Sequence, residues 1–262
     1  MILAVDIGNT NIEFGIYEKH KDNCQMICKF RTGTNRDLTS DDIGFKIRQF
    51  LLIYEIDVAY IDDVVIASVV PQIMYSMNNA ILKYIGKAPL IIGESLKIPL
   101  ANKYDNPDAV GKDRLIGAYS AYKKYGYPLI VVDFGTATTF DAVNNKGEYE
   151  GGAIFTGIRI STDALFQKTA KLPMVEIAHT DKIIGKNTVG SIQSGILYGY
   201  VGAVENIVSL MKRELGSEAK VIATGGLSKL IGDEASCFDR LDFDLILDGI
   251  AKLYYESKEK IK

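Results

Sequence analysis

Two peptides, Val5-Asp6-Ile7-Gly8-Asn9-Thr10 and Val132-Asp133-Phe134-Gly135-Thr136-Ala137, occur once in each half of the chain, each entered from an apolar run and followed by strand-like sequence. A chain that makes the same acidic turn twice points to a duplicated architecture. The turn itself has two readings. Asp, Gly and Asn serve ordinary hairpin geometry. They also bring a carboxylate and successive backbone N–H groups to one point, where glycine lets the main chain approach a phosphate closely. The repetition favours the second reading, a clamp for a nucleotide triphosphate and its metal.

The flanking pattern supports duplication. Residues 2–7, 12–17 and 24–30 read as three short strands, followed by a helix over 41–54 with Ser40 as N-cap and a buried strand over 64–70 stopped by Pro71. A helix over 72–85 and a strand at 90–92 complete the first half. After a loop over 99–112 and a helix over 113–125, strands are expected at 129–132, 138–143 and 149–155. Helices at 158–169 and 191–215, a strand at 220–224 and a closing helix at 243–255 follow, with a charged tail over 256–262. The order β-β-β-α-β-α-β, run twice, predicts an α/β fold of two similar domains, 1–112 and 113–262, with a cleft between them. The broad apolar face of the 191–215 helix suits either core packing or a subunit contact.

Composition narrows the chemistry. The 262 residues are 47% hydrophobic, enough for a substantial core, and the net charge of −3 argues against bulk attraction to nucleic acid or anionic membrane. No run approaches a membrane span, and the N-terminus lacks the basic start of a secretory signal, so cytoplasmic residence is the expectation. Three cysteines without paired spacing and two histidines make a zinc site a poor fit, and acid–base work falls to a carboxylate. No Walker loop is present.

Two further segments carry candidate chemistry. Ala223-Thr224-Gly225-Gly226-Leu227-Ser228 follows a strand and suits close packing on adenine or ribose, or an ordinary strand-to-helix turn. The loop Tyr104-Asp105-Asn106-Pro107-Asp108-Ala109-Val110-Gly111-Lys112-Asp113-Arg114 sets an acid beside a fixed cation. Asp113 there either complements a helix dipole or accepts a substrate hydroxyl proton, while Arg114 pairs with a carboxylate or phosphate oxygen.

At these residues the chain resembles the type III pantothenate kinases, in the superfamily of actin, sugar kinases and heat-shock chaperones. Asp6-Ile7-Gly8-Asn9-Thr10-Asn11 is similar to the first phosphate motif, Gly111-Lys112-Asp113-Arg114 to the Gly-x-Asp-Arg motif, and Asp133-Phe134-Gly135-Thr136-Ala137-Thr138 to the second phosphate motif. Gly151-Gly152-Ala153-Ile154, Asn187-Thr188-Val189 with Gln193-Ser194-Gly195, and Ala223-Thr224-Gly225-Gly226 extend the likeness over nearly the whole chain. Thr156 stands where the family often has proline, and Lys112 where it often has a small residue; neither removes a group with an assigned role.

The resemblance implies duplicated ribonuclease-H-like (actin-like ATPase) domains and phosphorylation of pantothenate, the first step of coenzyme A biosynthesis. It implies ATP with Mg²⁺ held by Asp6, Ile7, Gly8, Asn9, Thr10, Asn11, Ile12, Glu13 and Thr136, with Asp6 orienting the magnesium. Asp113 becomes the proton acceptor and Asp133 the site of a monovalent cation, K⁺ or NH₄⁺. Pantothenate meets Tyr104, Gly111, Lys112, Asp113, Arg114 and Thr188, in a homodimer whose substrate site lies near the interface. The competing expectations are a nucleotide-binding accessory protein without turnover and a different kinase or phosphohydrolase of the superfamily. Asp113 and Arg114 speak against the first, and the Gly-Lys-Asp-Arg loop with Tyr104 against the second.

Overall fold

The computed structural model describes residues 1–20 and 23–259, so the last three residues of the expected charged tail lie outside the described residues. Ten strands and seven α-helices are described. They group into two compact units, Met1–Pro99 with Asp108–Ser120 and Asp244–Lys262, and Leu100–Pro107 with Ala121–Phe243. The sequence reading divided the chain at 112/113 and assigned the closing helix to the second half. In the structure the closing helix belongs with the first unit.

The first unit is built on β1 (Ile2–Ile7), β2 (Asn11–His20), β3 (Asn23–Gly33), β4 (Asp63–Ser68) and β5 (Leu90–Ile91), ordered β3-β2-β1-β4-β5. β1 runs antiparallel to β2 and parallel to β4. Helices α1 (Ser40–Ile53) and α2 (Pro71–Tyr84) cover one face, where Leu3, Val5 and Ile7 meet Ile47, Leu51, Ile73 and Met77. Helix α3 is Lys112–Tyr125; after the strands of the second unit, given below, the last helix, α7, is Leu245–Glu259. Side chains alternate across a strand, so Ile2, Ala4 and Asp6 point to the opposite face. There α7 lays Leu247 against Gly15.

Tyrosine hydroxyls pin α7 down. Tyr17 donates to Asp248 at 2.7 Å, Tyr254 to Asp63 at 2.5 Å and Tyr119 to Glu256 at 2.7 Å. These bonds satisfy carboxylates on a half-buried surface, and burial together with Asp248 raises the Tyr17 pKa far above its ordinary value. Gly249 lets α7 cross closely over α3, since a Cβ there would sit 2.8 Å from Ile116 and 2.9 Å from Ser120.

The second unit repeats the plan with β6 (Leu129–Phe134), β7 (Ala137–Val143), β8 (Tyr149–Thr156), β9 (Lys220–Thr224) and β10 (Arg240–Leu241) in the order β8-β7-β6-β9-β10. Position for position this is the order of the first sheet, which makes the chain a duplicated ribonuclease-H-like α/β fold. Its helices are α4 (Ile158–Lys168), α5 (Thr188–Leu215) and α6 (Ser228–Gly232). Ile130, Val132 and Phe134 pack on Leu197, Val201 and Val204 of α5, so Val131 and Asp133 face the other way, as Asp6 does in its own sheet.

Of the helix starts that differ from the sequence reading, two do so for a capping reason, while the closing helix, expected from 243, begins at Leu245. α1 is capped by Thr39 rather than Ser40, because Thr39 and Asp42 form a reciprocal box: the Asp42 N–H donates to Thr39 Oγ1 at 3.2 Å, and the Thr39 N–H to Asp42 Oδ2 at 3.0 Å. α5 begins one turn earlier than expected, because the Asn187 side chain accepts from the Gly190 N–H at 2.8 Å. At 28 residues it is about 42 Å long.

Candidate active site

Strand pairing carries the two acidic turns to equivalent places. Asp6 lies opposite Glu13 on β2 and beside Ala67 on β4; Asp133 lies opposite Thr139 on β7 and beside Thr224 on β9. The turns differ in length: Ile7 pairs with Ile12 across four residues, whereas Phe134 pairs with Thr138 across three.

The first turn is tied down by its own backbone and its neighbours. The Gly8 N–H donates to the Asn11 carbonyl at 3.0 Å, the Thr34 hydroxyl to the Gly8 carbonyl at 2.7 Å and the Thr34 N–H to the Thr10 carbonyl at 2.9 Å. Asn9 and Thr10 are exposed at its tip, while Ile7 and Ile12 are core residues with 0% and 1% exposure. Those two isoleucines therefore have only main-chain atoms to offer a ligand. Burial raises the Glu13 pKa, against the lowering influence of Lys29 and Arg31.

Within the same unit the Asp113 loop is brought close to this turn. Val69 links them: its N–H donates to the Ile7 carbonyl at 3.1 Å, and its side chain lies 3.8 Å from the Cβ position of Gly111. That position is only 2.4 Å from Asp113 Oδ1, so the carboxylate occupies space that any side chain at 111 would take. The Arg114 N–H donates to the same oxygen at 2.8 Å. Asp113 thus serves the first turn of α3 and is held in a defined rotation by it. The Lys112 stem lies over Gly93, whose φ of +94° is one that L side chains rarely adopt.

In the second unit, Asp133 is packed by the glycine-rich turn after β9. Gly225, at φ +91°, presents its bare Cα to Asp133 Oδ1, 2.4 Å from where a Cβ would stand. Gly157 does the same for the next turn, since its Cβ would fall 2.0 Å from the Thr136 carbonyl oxygen and 3.0 Å from that of Gly135. Tyr200 of α5 secures this corner: its hydroxyl contacts Thr138 and donates to the Thr156 carbonyl at 3.2 Å.

Tyr104 and Thr188 also belong to this unit. Thr188, the first residue of α5, lines a cavity of about 620 Å³ with Leu172, Lys186, Asn187 and Ser191. Tyr104 lies instead along β8, its ring 3.2 Å from the Cβ position of Gly151. The residues that sequence reasoning missed are Thr34, Val69 and Gly157, which shape the turns through main-chain contacts. Only Gly157 carried a sequence signal, a glycine directly after the Gly-Gly strand.

No group of three or more His, Cys, Asp or Glu side chains able to hold a metal occurs among the described residues. Asp6 and Glu13 stand opposite each other across β1 and β2, two carboxylates on neighbouring strands.

The sequence model described as type III pantothenate kinase matches residues 2–210. The chain belongs to the type III pantothenate kinase family. A type III pantothenate kinase of Moorella thermoacetica is 47% identical over 254 residues, covering 97% of this chain and 98% of the relative. Among solved structures, a Campylobacter jejuni protein described as a conserved Baf family transcriptional activator superposes with a TM-score of 0.61 at 19% identity, over 98% of this chain and all of that one. The activator of 2-hydroxyisocaproyl-CoA dehydratase from Clostridium difficile, with bound ADPNP, gives 0.54 at 12% identity, over 100% and 98% of the two chains. At such identities these structures speak for the fold alone. No helix among the described residues is long and apolar enough to cross a membrane.

Proposed function

We propose that the chain transfers the terminal phosphoryl group of ATP to the primary hydroxyl of pantothenate, giving 4′-phosphopantothenate, the first step of coenzyme A synthesis, in the cytoplasm. The observation that carries this reading is the near-full-length identity to a type III pantothenate kinase, with the two acidic turns and the Gly-Lys-Asp-Arg loop all in place. The transfer needs aligned reactants, screened phosphate charge and a destination for the hydroxyl proton.

Asp113 takes the proton, its carboxylate oriented by the Arg114 N–H. Arg114 and Lys112 supply positive charge for the acceptor's carboxylate, and Tyr104, Gly111 and Thr188 shape its binding. Residues 6–13 of the first turn, exposed at its tip at Asn9 and Thr10, hold the phosphates together with Thr136. Magnesium, when bound, neutralises phosphate charge, and Asp6 with Glu13 across the strand pair is the donor set that suits it. Asp133 has two threonines beside it instead of a second acid. A single carboxylate among hydroxyl oxygens suits K⁺ or NH₄⁺.

The same reading makes the protein a homodimer with the substrate site near its interface. Ile183, Ile184 and Val189 are exposed apolar residues next to Thr188 in sequence, and Ile160 and Phe166 are exposed on α4 of the same unit. Incubating the purified protein with ATP, Mg²⁺, K⁺ and pantothenate, while following ADP and 4′-phosphopantothenate, tests the function. Absence of both products with either K⁺ or NH₄⁺ overturns it. Sedimentation at a monomer mass overturns the dimer.

A further inference from the structure

We propose that buried Asp141 and Tyr149 are positioning residues that set Tyr104 for the acceptor, through a bulge in β8. This deepens the reading above and rests on it for the identity of the acceptor.

The bulge decides which side chain faces Asp141. Ala142 pairs with Gly151 and Val143 with Tyr149, so Glu150 is an extra residue with no partner on β7. Gly151 takes a φ of +123°, which an L side chain rarely adopts. Without the extra residue Val143 would oppose Glu150, and Tyr149 would turn to the other face of the sheet. With it, Tyr149 shares the face of Asp141. Its hydroxyl donates to Asp141 Oδ1 at 2.7 Å, and Thr139 donates to Oδ2 at 3.1 Å.

Asp141 is 1% exposed and Tyr149 0%, so this bond lies out of water, where a carboxylate demands its partners. Tyr149 then holds the 100–107 segment. Its N–H donates to the Ala101 carbonyl and its carbonyl accepts from the Lys103 N–H, both at 2.8 Å, in a parallel bridge with Asn102. Two residues further on, that register brings Tyr104 over Gly151, and the two tyrosine rings lie 6.5 Å apart. Asn102 fixes the turn between them by accepting from the Tyr104 N–H at 3.0 Å and donating to the Pro107 carbonyl at 3.2 Å. A chain of contacts thus runs from a buried carboxylate to a candidate substrate residue that is 36% exposed.

The experiment compares Tyr149→Phe and Asp141→Asn with the unaltered enzyme, alone and in a Tyr104→Ala background. Each should raise the acceptor KM by about tenfold to a hundredfold, on the scale of one hydrogen bond to a charged group, with kcat and the ATP KM within about twofold. In the Tyr104→Ala background the effect of Tyr149→Phe should vanish. Amide exchange at Lys103 and Tyr104 should quicken in Tyr149→Phe, a readout that needs no turnover. The inference fails if both KM values rise together, if Tyr149→Phe keeps its full effect without Tyr104, or if exchange at 103–104 is unchanged. Loss of pantothenate turnover in the unaltered enzyme refutes the proposed function instead. If Asp141→Asn does not fold, Tyr149→Phe, which removes one hydroxyl, decides.

Discussion

Replacing Gly157 by alanine should cripple ATP use while leaving the protein folded. The backbone at 157 has φ −61° and ψ 143°, which alanine adopts without strain, so the effect is steric alone. The new methyl would lie 2.0 Å from the Thr136 carbonyl oxygen and 2.7 Å from its carbon. Ordinary contact requires the two backbones to part by more than about 1 Å. Neither is the free end of a flexible side chain. Overpacking of this kind costs about 1–3 kcal/mol, which a two-domain protein of this size survives. A phosphate-binding turn displaced by ~1 Å costs roughly a hundredfold in rate. Steady-state kinetics should therefore show kcat/KM for ATP down about a hundredfold, with the acceptor KM little changed. Thermal melts should show ATP-Mg²⁺ no longer raising Tm. If Gly157→Ala melts lower yet keeps its ATP kinetics within twofold, the clash does not reach the nucleotide through the Thr136 turn and the steric reasoning is refuted.

Four other outcomes follow from the same geometry. Asp113→Asn keeps an oxygen to accept from the Arg114 N–H, so α3 should remain intact while kcat falls by about 10²–10⁴; near-normal turnover removes Asp113 from proton transfer. Activity should depend on K⁺ or NH₄⁺, and Asp133→Ala should abolish that dependence; full activity in sodium alone would leave Asp133 a structural turn residue. Burial raises the Glu13 pKa, so the folded state holds that proton more tightly than the unfolded one, and stability falls as pH rises from the ordinary carboxylate range through the raised pKa. Glu13→Gln should therefore raise Tm at pH 7 more than at pH 4, and equal shifts at both would contradict the burial argument. Tyr254→Phe removes a 2.5 Å bond to Asp63 and should cost about 1.5–3 kcal/mol, read as a lower urea midpoint at unchanged slope.

Much of the fold was legible because the apolar runs are short and bounded by turn residues. β1 and β9 have the expected limits, and the repeated strand order followed from recognising the repeated turn. Helix starts were less legible where two capping residues compete: Thr39 wins over Ser40 because Asp42 stands three residues after it. Residues 188–190 lack apolar periodicity, so the first turn of α5 depends on a side-chain cap that periodicity does not register. The membership of α7 was hidden for another reason. Its apolar face fits any sheet, and long-range polar pairs such as Tyr17 with Asp248, 231 positions apart, and Lys258 with Asp63 select the first one. At the site, residue types revealed the acids but not the contacts of Val69 and Gly157, which act through backbone proximity.

That late helix also orders the birth of the molecule. Strands β1 to β4 leave the ribosome early, yet the surface carrying Ile2, Ala4 and Gly15 waits for Leu247 and its neighbours. The unit begun first is therefore finished last, and during synthesis its uncovered side is exposed to chaperones and to other nascent chains. Cutting the chain ahead of Asp244 should yield a protein whose opening domain aggregates while its middle domain keeps its core.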